Sequence, residues 1–198
     1  MSRSRIRLLL IWVVLGALAV TIYISERKRS ASIDTPVVKD EKRLLPVHME
    51  TLGAVEIMAA GTMHRFERDA TGLWFYHGMH DKTKTEHGHK ADPDLAKVIE
   101  KAFITLGRAR YERTLPLSGS DEFGVTRPEL FIAVYLPGVL EPVARYAVGI
   151  TTPDNFGRYV LQVGGASVVT VAEYQITSLT TLLADVSKAA ASRAAIKP

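Results

Sequence analysis

Seventeen residues, Leu8 to Ile24, form an almost unbroken apolar run with no charged side chain. Arg3, Arg5 and Arg7 precede it, and Arg27, Lys28 and Arg29 follow it. As an α-helix the run is about 26 Å long at roughly 1.5 Å per residue. That is the short end of what crosses a hydrocarbon core of about 30 Å. Ile6 and the stem of Arg7 extend it, because long basic side chains snorkel to the headgroups. Trp12 and Tyr23 stand toward its two ends, where interfacial aromatics collect. The basic flanks argue against a buried core helix.

A cleaved signal peptide is the rival reading. Arg3, Arg5 and Arg7 would be its basic start, and Ala17-Leu18-Ala19 its small-x-small site. Cleavage there leaves Val20 to Ile24 as an apolar new N-terminus, so the uncleaved anchor is favoured. The positive-inside rule puts the N-terminus on the cytoplasmic side, and a long following domain translocates largely regardless of its own charge. The expected location is therefore a bacterial inner membrane, single-pass, with the C-terminal domain in the periplasm. The chain contains no Cys, so it needs no disulfides in an oxidising compartment.

Charge divides sharply along the chain. Residues 1–43 hold nine Lys or Arg and four Asp or Glu, whereas residues 46–185 hold thirteen basic and seventeen acidic side chains. The overall net charge of +4 thus belongs to the flanks and the tail. A nucleic-acid binder should carry a basic patch on its folded body. Arg108, Arg110 and Arg113 are interrupted by Glu112 with no aromatic series beside them, so no nucleic-acid partner is expected.

These features divide the chain into four parts: residues 1–29 an anchor with basic flanks, 30–45 a linker, 46–186 an extracytoplasmic domain, and 187–198 a flexible tail. Within the domain the pattern is at first period-two. Val55-Glu56-Ile57, Thr62 to Arg68 and Leu73 to Tyr76 read as an antiparallel meander, with a turn at Asp69-Ala70-Thr71-Gly72. Asp92-Pro93 starts a helix, with an acceptor side chain at its cap and Pro in its first turn. Its apolar stripe includes Leu95, Val98, Ile99, Ala102, Phe103 and Leu106, and Gly107 ends it.

The second half repeats the order. Ala109 to Arg113, Phe131 to Leu136, Arg145 to Ile150, Arg158 to Val163 and Ser167 to Val171 are expected strands, with a hairpin turn at Gly164-Gly165. A closing helix runs from about Ala172, burying Ile176, Leu179, Leu182, Leu183 and Val186. Strands in runs followed by helices indicate an α+β class. The expected architecture is one membrane helix followed by an antiparallel-sheet domain with two packed helices, arranged as a tandem strands-then-helix pseudo-repeat.

Several short signatures occur in one order: a strand ending in Trp74, the element Glu122-Phe123-Gly124-Val125-Thr126-Arg127-Pro128, the β-run Phe131–Leu136, Arg145-Tyr146-Ala147-Val148-Gly149, and Arg158-Tyr159-Val160. In this order the chain resembles the DUF4340 family of bacterial membrane-anchored extracytoplasmic domains, over roughly residues 46–186. Val125 stands where that family usually has Leu. The resemblance implies a non-enzymatic domain beside a membrane assembly, since some members accompany transporter-like and gliding-motility components. It carries over no catalytic residue. Read from the residues themselves, Phe123-Gly124 makes a tight turn with Gly at positive φ, Pro128 launches the next strand, and Tyr146 and Tyr159 pair across neighbouring strands.

Histidine is the one residue type in a chemically suggestive cluster. His77, His80, His87 and His89 fall close together, with Asp81 and Glu86 between them. Neutral imidazoles suit Zn, Cu or Ni. Lys82, Lys84 and Lys90 in the same stretch repel a cation, and the spacing matches no standard zinc pattern. Cysteine nucleophiles, G-x-S-x-G, H-E-x-x-H, P-loop and G-x-G-x-x-G motifs are absent. The expected function is an accessory or scaffolding subunit of a larger membrane complex (transport, respiratory or photosynthetic), without enzymatic activity, cofactor or assigned metal. Its expected partners are the membrane and other subunits of the complex. The alternative is an extracytoplasmic ligand- or metal-binding module using the His77–His89 loop.

Overall fold

The computed structural model describes residue 40 and residues 42–79, 92–118 and 121–195, with side chains beyond residue 189 left aside. All of these lie on the C-terminal side of the division between Thr35 and Pro36. The domain is α+β, built on one sheet of eight antiparallel strands with two helices.

The strands are β1 (Ala54–Ala59), β2 (Thr62–Arg68), β3 (Trp74–Met79), β4 (Arg113–Pro116), β5 (Leu130–Tyr135), β6 (Ala144–Thr151), β7 (Gly157–Gln162) and β8 (Ser167–Ala172). The helices are α1 (Pro93–Gly107), after β3, and α2 (Glu173–Ala195), after β8. Sheet order is β3-β2-β1-β5-β6-β7-β8-β4. Each half therefore contributes strands and then a helix, and β1 meets β5 near the centre, with Ile57 opposite Ile132.

Alternation along the strands decides which side chains are buried. Val55, Ile57, Phe66, Trp74, Ile132, Val134, Tyr146, Val148, Val160 and Val171 point to the face covered by the helices. There α1 packs beside β3 and α2 beside β7 and β8, and the two helices touch one another. Phe103 of α1 meets Phe66 and Trp74 edge-on, with ring centroids 5.3 Å and 4.8 Å away. Each such pair adds about 1 kcal/mol beyond its buried area.

Several expected signals have visible physical causes. Asp92 accepts from the backbone N–H groups of Asp94 and Leu95 and so caps α1. Asp69 Oδ1 accepts from Thr71 N–H, Thr71 Oγ1 and Leu73 N–H, closing the β2–β3 turn. Those hydrogen bonds, led by the Thr71 hydroxyl, hold its carboxyl below the usual range. Gly164 in the β7–β8 hairpin has φ +83.

Other expectations need correcting. Residues 109–111 are not part of β4. They pair instead with residues 42–44, through an Arg43–Arg110 bridge. Leu44 and Leu45, expected in the linker, are buried, and Leu44 O accepts from the Tyr146 hydroxyl at 2.7 Å. Gly107 does end α1, as its last helical residue, and its lack of a side chain makes room for Met49, whose Cβ would lie 2.9 Å from an added Cβ. Tyr146 and Tyr159 do not form a pair. Tyr146 stands opposite Gln162 and faces the helices, whereas Tyr159 lies on the other face against Phe123, at 4.7 Å.

Candidate functional site

Two surface features stand out among the described residues. The first is a groove of about 750 Å³ between the helices. α1 lines it with Val98, Ala102 and Thr105, and α2 with Tyr174, Ser178 and Leu182. These positions recur at three and four residues, so each helix presents one continuous stripe to the groove. Small and hydroxylated residues at Ala102, Thr105 and Ser178 keep it open where larger side chains would close it.

Its rim is unusual for a solvated surface. Phe156, in the β6–β7 turn, is 79% exposed, and Tyr174 is 65% exposed. Glu173 N–H donates to Phe156 O at 2.8 Å, fixing the turn against the start of α2. Asp154 Oδ1 accepts from the Thr152 hydroxyl and from Phe156 N–H, which shapes the same turn. Val98 of α1, which lines the groove, is also exposed. Exposed apolar groups gathered along one groove mark an interaction surface more often than a scattered set would. Periodicity alone assigned Val98 to the α1 core stripe; in the fold it lies on the groove side.

The second feature lies on the opposite face of the sheet. Arg65 Nη1 donates to Glu56 Oε1 and Arg65 Nε to Glu67 Oε1, both at 2.5 Å. The Tyr135 hydroxyl donates to Glu56 Oε2 at 2.5 Å. Burial, with the Glu56 carboxylate as second cause, pushes the Tyr135 phenol up to about 12. One guanidinium thus bridges the two carboxylates and one uncharged hydroxyl adds a hydrogen bond, an arrangement that links strands β1, β2 and β5. His77 Nδ1 lies 3.5 Å from Glu67 Oε2 at the margin of this cluster.

Of the four clustered histidines, only His77 belongs to the described residues. His80, His87 and His89 lie outside them, as does the apolar run Leu8–Ile24. Among the described residues no group of three or more His, Asp or Glu is placed to hold a metal ion. Among them, too, no helix is long and apolar enough to cross a membrane. A fifth histidine, His64, is buried in β2 with Nδ1 at 2.8 Å from the Tyr76 hydroxyl oxygen. Burial lowers its pKa.

Comparison with known proteins adds no relative: no family model, no curated protein and no solved structure matches this chain.

Proposed function

We propose that this chain is a non-enzymatic accessory or scaffolding subunit of a larger bacterial membrane complex. Leu8–Ile24 anchors it as a single helix, and the α+β domain stands on the periplasmic side. The complex is of a transport, respiratory or photosynthetic kind. The observation that carries the reading is the interhelical groove with Phe156 and Tyr174 exposed on its rim. Tyr174 to Asp185 spans about 16 Å of α2, three turns of helix. An apolar helix of a partner subunit fits that length and would bury both aromatics. Aromatic residues are the side chains that most often dominate such contacts.

The resemblance to DUF4340 domains points the same way. On this reading, the strands-then-helix order of the two halves is an architectural pseudo-repeat without residue identity.

The test is mild-detergent extraction of the tagged full-length chain, native-gel separation and mass spectrometry of its companions. A stable assembly that disappears when residues 1–30 are removed, and weakens when Phe156 and Tyr174 are changed to Ser, is the expected result. A lone monomer overturns the reading.

A second reading is favoured by one contact. The 3.5 Å between His77 Nδ1 and Glu67 Oε2 is a spacing that two ligands of one divalent ion adopt at about 2.0–2.2 Å each. The His77–His89 stretch would supply the remaining ligands of an extracytoplasmic metal-binding module. Zn or Ni should then raise the melting temperature, reversibly with chelator, and His77→Ala should abolish the rise. An unchanged melting temperature ends this reading.

A further inference from the structure

A single backbone pairing brings two short basic segments together at one edge of the domain. Arg43 and Arg110 face each other in an antiparallel bridge. Leu44 N–H donates to Ala109 O at 2.8 Å and Tyr111 N–H to Lys42 O at 2.7 Å. Lys42 and Arg108 flank that bridge and are exposed. Arg43 Nη2 donates to Gly107 O, a carbonyl of the last turn of α1, at 2.6 Å, and Arg43 Nη1 lies 3.3 Å from His48 Nδ1. Arg110 makes a forked pair with Asp40. The pairing is long-range, so the sequence shows two separate short basic runs, while the fold shows one cluster.

The balance of charge around the cluster is local. Residues 40–48 and 107–113 together hold five Lys or Arg against three Asp or Glu, whereas residues 114–185 hold three against seven. The positive surface is also where the chain enters the domain. Only residues 25–39 separate it from the apolar run, a tether of at most about 50 Å fully extended. Arg27, Lys28, Arg29 and Lys39 make that tether basic as well.

We propose that Lys42, Arg43, Arg108 and Arg110 form a surface that rests on anionic phospholipid headgroups and sets how the domain lies on the bilayer. This rests on the anchor reading above. The exposed Arg108 guanidinium matches phosphate oxygens in a pair, whereas Arg43 and Arg110 already donate to Gly107 O and Asp40 and add charge rather than a free fork. A juxtamembrane basic group near an anionic surface strengthens its attraction roughly fivefold. Asp40 offsets part of the gain, through its pair with Arg110.

The absence of cysteine makes the test direct. A fluorophore is attached to full-length protein at Thr114→Cys, which shares a surface depression with Lys42. A second preparation carries it at Asp94→Cys, at the far end of α1. Each is reconstituted into vesicles of phosphatidylcholine alone, or mixed equally with phosphatidylglycerol, containing a headgroup quencher. Stronger quenching at position 114 in the anionic vesicles, absent at position 94 and reversed by salt, is the expected result. Lys42→Gln with Arg108→Gln should weaken it more than tenfold at unchanged melting temperature, at roughly fivefold per charge. Equal quenching in both lipids, or no effect of the double variant, overturns the proposal.

Alkaline carbonate extraction of the same vesicles tests the anchor separately. Protein that carbonate removes, yet that anionic vesicles still quench, sinks the anchor and keeps the lipid-facing surface. Protein that carbonate removes and neither lipid quenches sinks both.

Discussion

Phe123 and Gly149 touch backbone to backbone. Phe123 O accepts from Ile150 N–H at 3.0 Å, and a Cβ added to Gly149 would lie 2.0 Å from that same oxygen. This contact folds the 121–129 turn onto the sheet face away from the helices, where Phe123 and Val125 cover Ala147, Tyr159 and Val168. Gly124, at φ +70, makes the reversal that allows it. Gly149→Ala must push the turn off the sheet, and the expected loss is about 3 kcal/mol, the upper range of overpacking. Gly61→Ala is the comparison. Gly61 also has positive φ, +77, but open space around it, so only backbone strain of about 1 kcal/mol applies. Urea unfolding of the two variants measures the difference, and equal losses would show that the Phe123 contact contributes nothing.

Arg158 ties the same region to the helix layer. It is 9% exposed. Its Nη1 donates to Glu129 Oε2 at 2.7 Å and to Gly149 O at 3.1 Å, and its Nε lies 3.2 Å from Glu173 Oε2. Breaking a fully buried pair costs about 3–5 kcal/mol. Glu129 is half exposed, so the screened expectation for Arg158→Ala is nearer 2 kcal/mol. Arg158→Lys should recover little, because a single ammonium cannot span two carboxylates and a carbonyl. Chemical denaturation of both variants checks this, and a fully stable lysine variant would refute it.

How much of this was legible depends on the range of the interaction. Asp92-Pro93, the Asp69 turn and the Gly164 hairpin are local, and each stands where the residue chemistry put it. β4 was shifted by four residues because Ala109 to Tyr111 pair with Lys42 to Leu44, a partner no local pattern announces. Tyr146 and Tyr159 lie on opposite faces because Tyr146 shares a face with Val148 and its partner Val160, and Tyr159, next to Val160, alternates to the other. The groove was invisible for a different reason. Phe156 stands in a polar stretch, Thr151 to Arg158, and nothing local there shows that the Asp154-centred turn sets its ring at the rim of a groove between two helices.

The exposed rim of that groove makes a stability prediction of its own. Phe156→Ser and Tyr174→Ser remove little buried contact, so each should change unfolding free energy by less than about 0.5 kcal/mol. Leu182, in the same groove but 1% exposed, belongs to the core, and Leu182→Ala should cost about 2–5 kcal/mol. Differential stability with a shared location is what distinguishes a docking rim from a packing surface. A large loss from either aromatic variant, measured by urea unfolding, would assign the rim to the fold instead.

His64 gives the domain a pH dependence of definite sign. Burial lowers its folded-state pKa below the ordinary value of 6.5. As pH falls, the unfolded chain therefore takes up the proton first, and stability declines. The stabilisation held by neutral His64 is complete above 6.5, is lost as pH falls below 6.5, and stops changing once pH passes beneath the folded value. The nearest polar group is the Tyr76 hydroxyl, 2.8 Å from Nδ1, and it offers no negative charge, because burial raises the Tyr76 pKa. His64→Gln keeps a hydrogen-bonding partner for Tyr76 and removes the titration. Melting temperatures of the two proteins across mildly acidic to neutral pH should diverge from a common slope, the unmodified protein falling more steeply below 6.5. Parallel curves would show that His64 titrates alike in both states and that its burial has no energetic consequence.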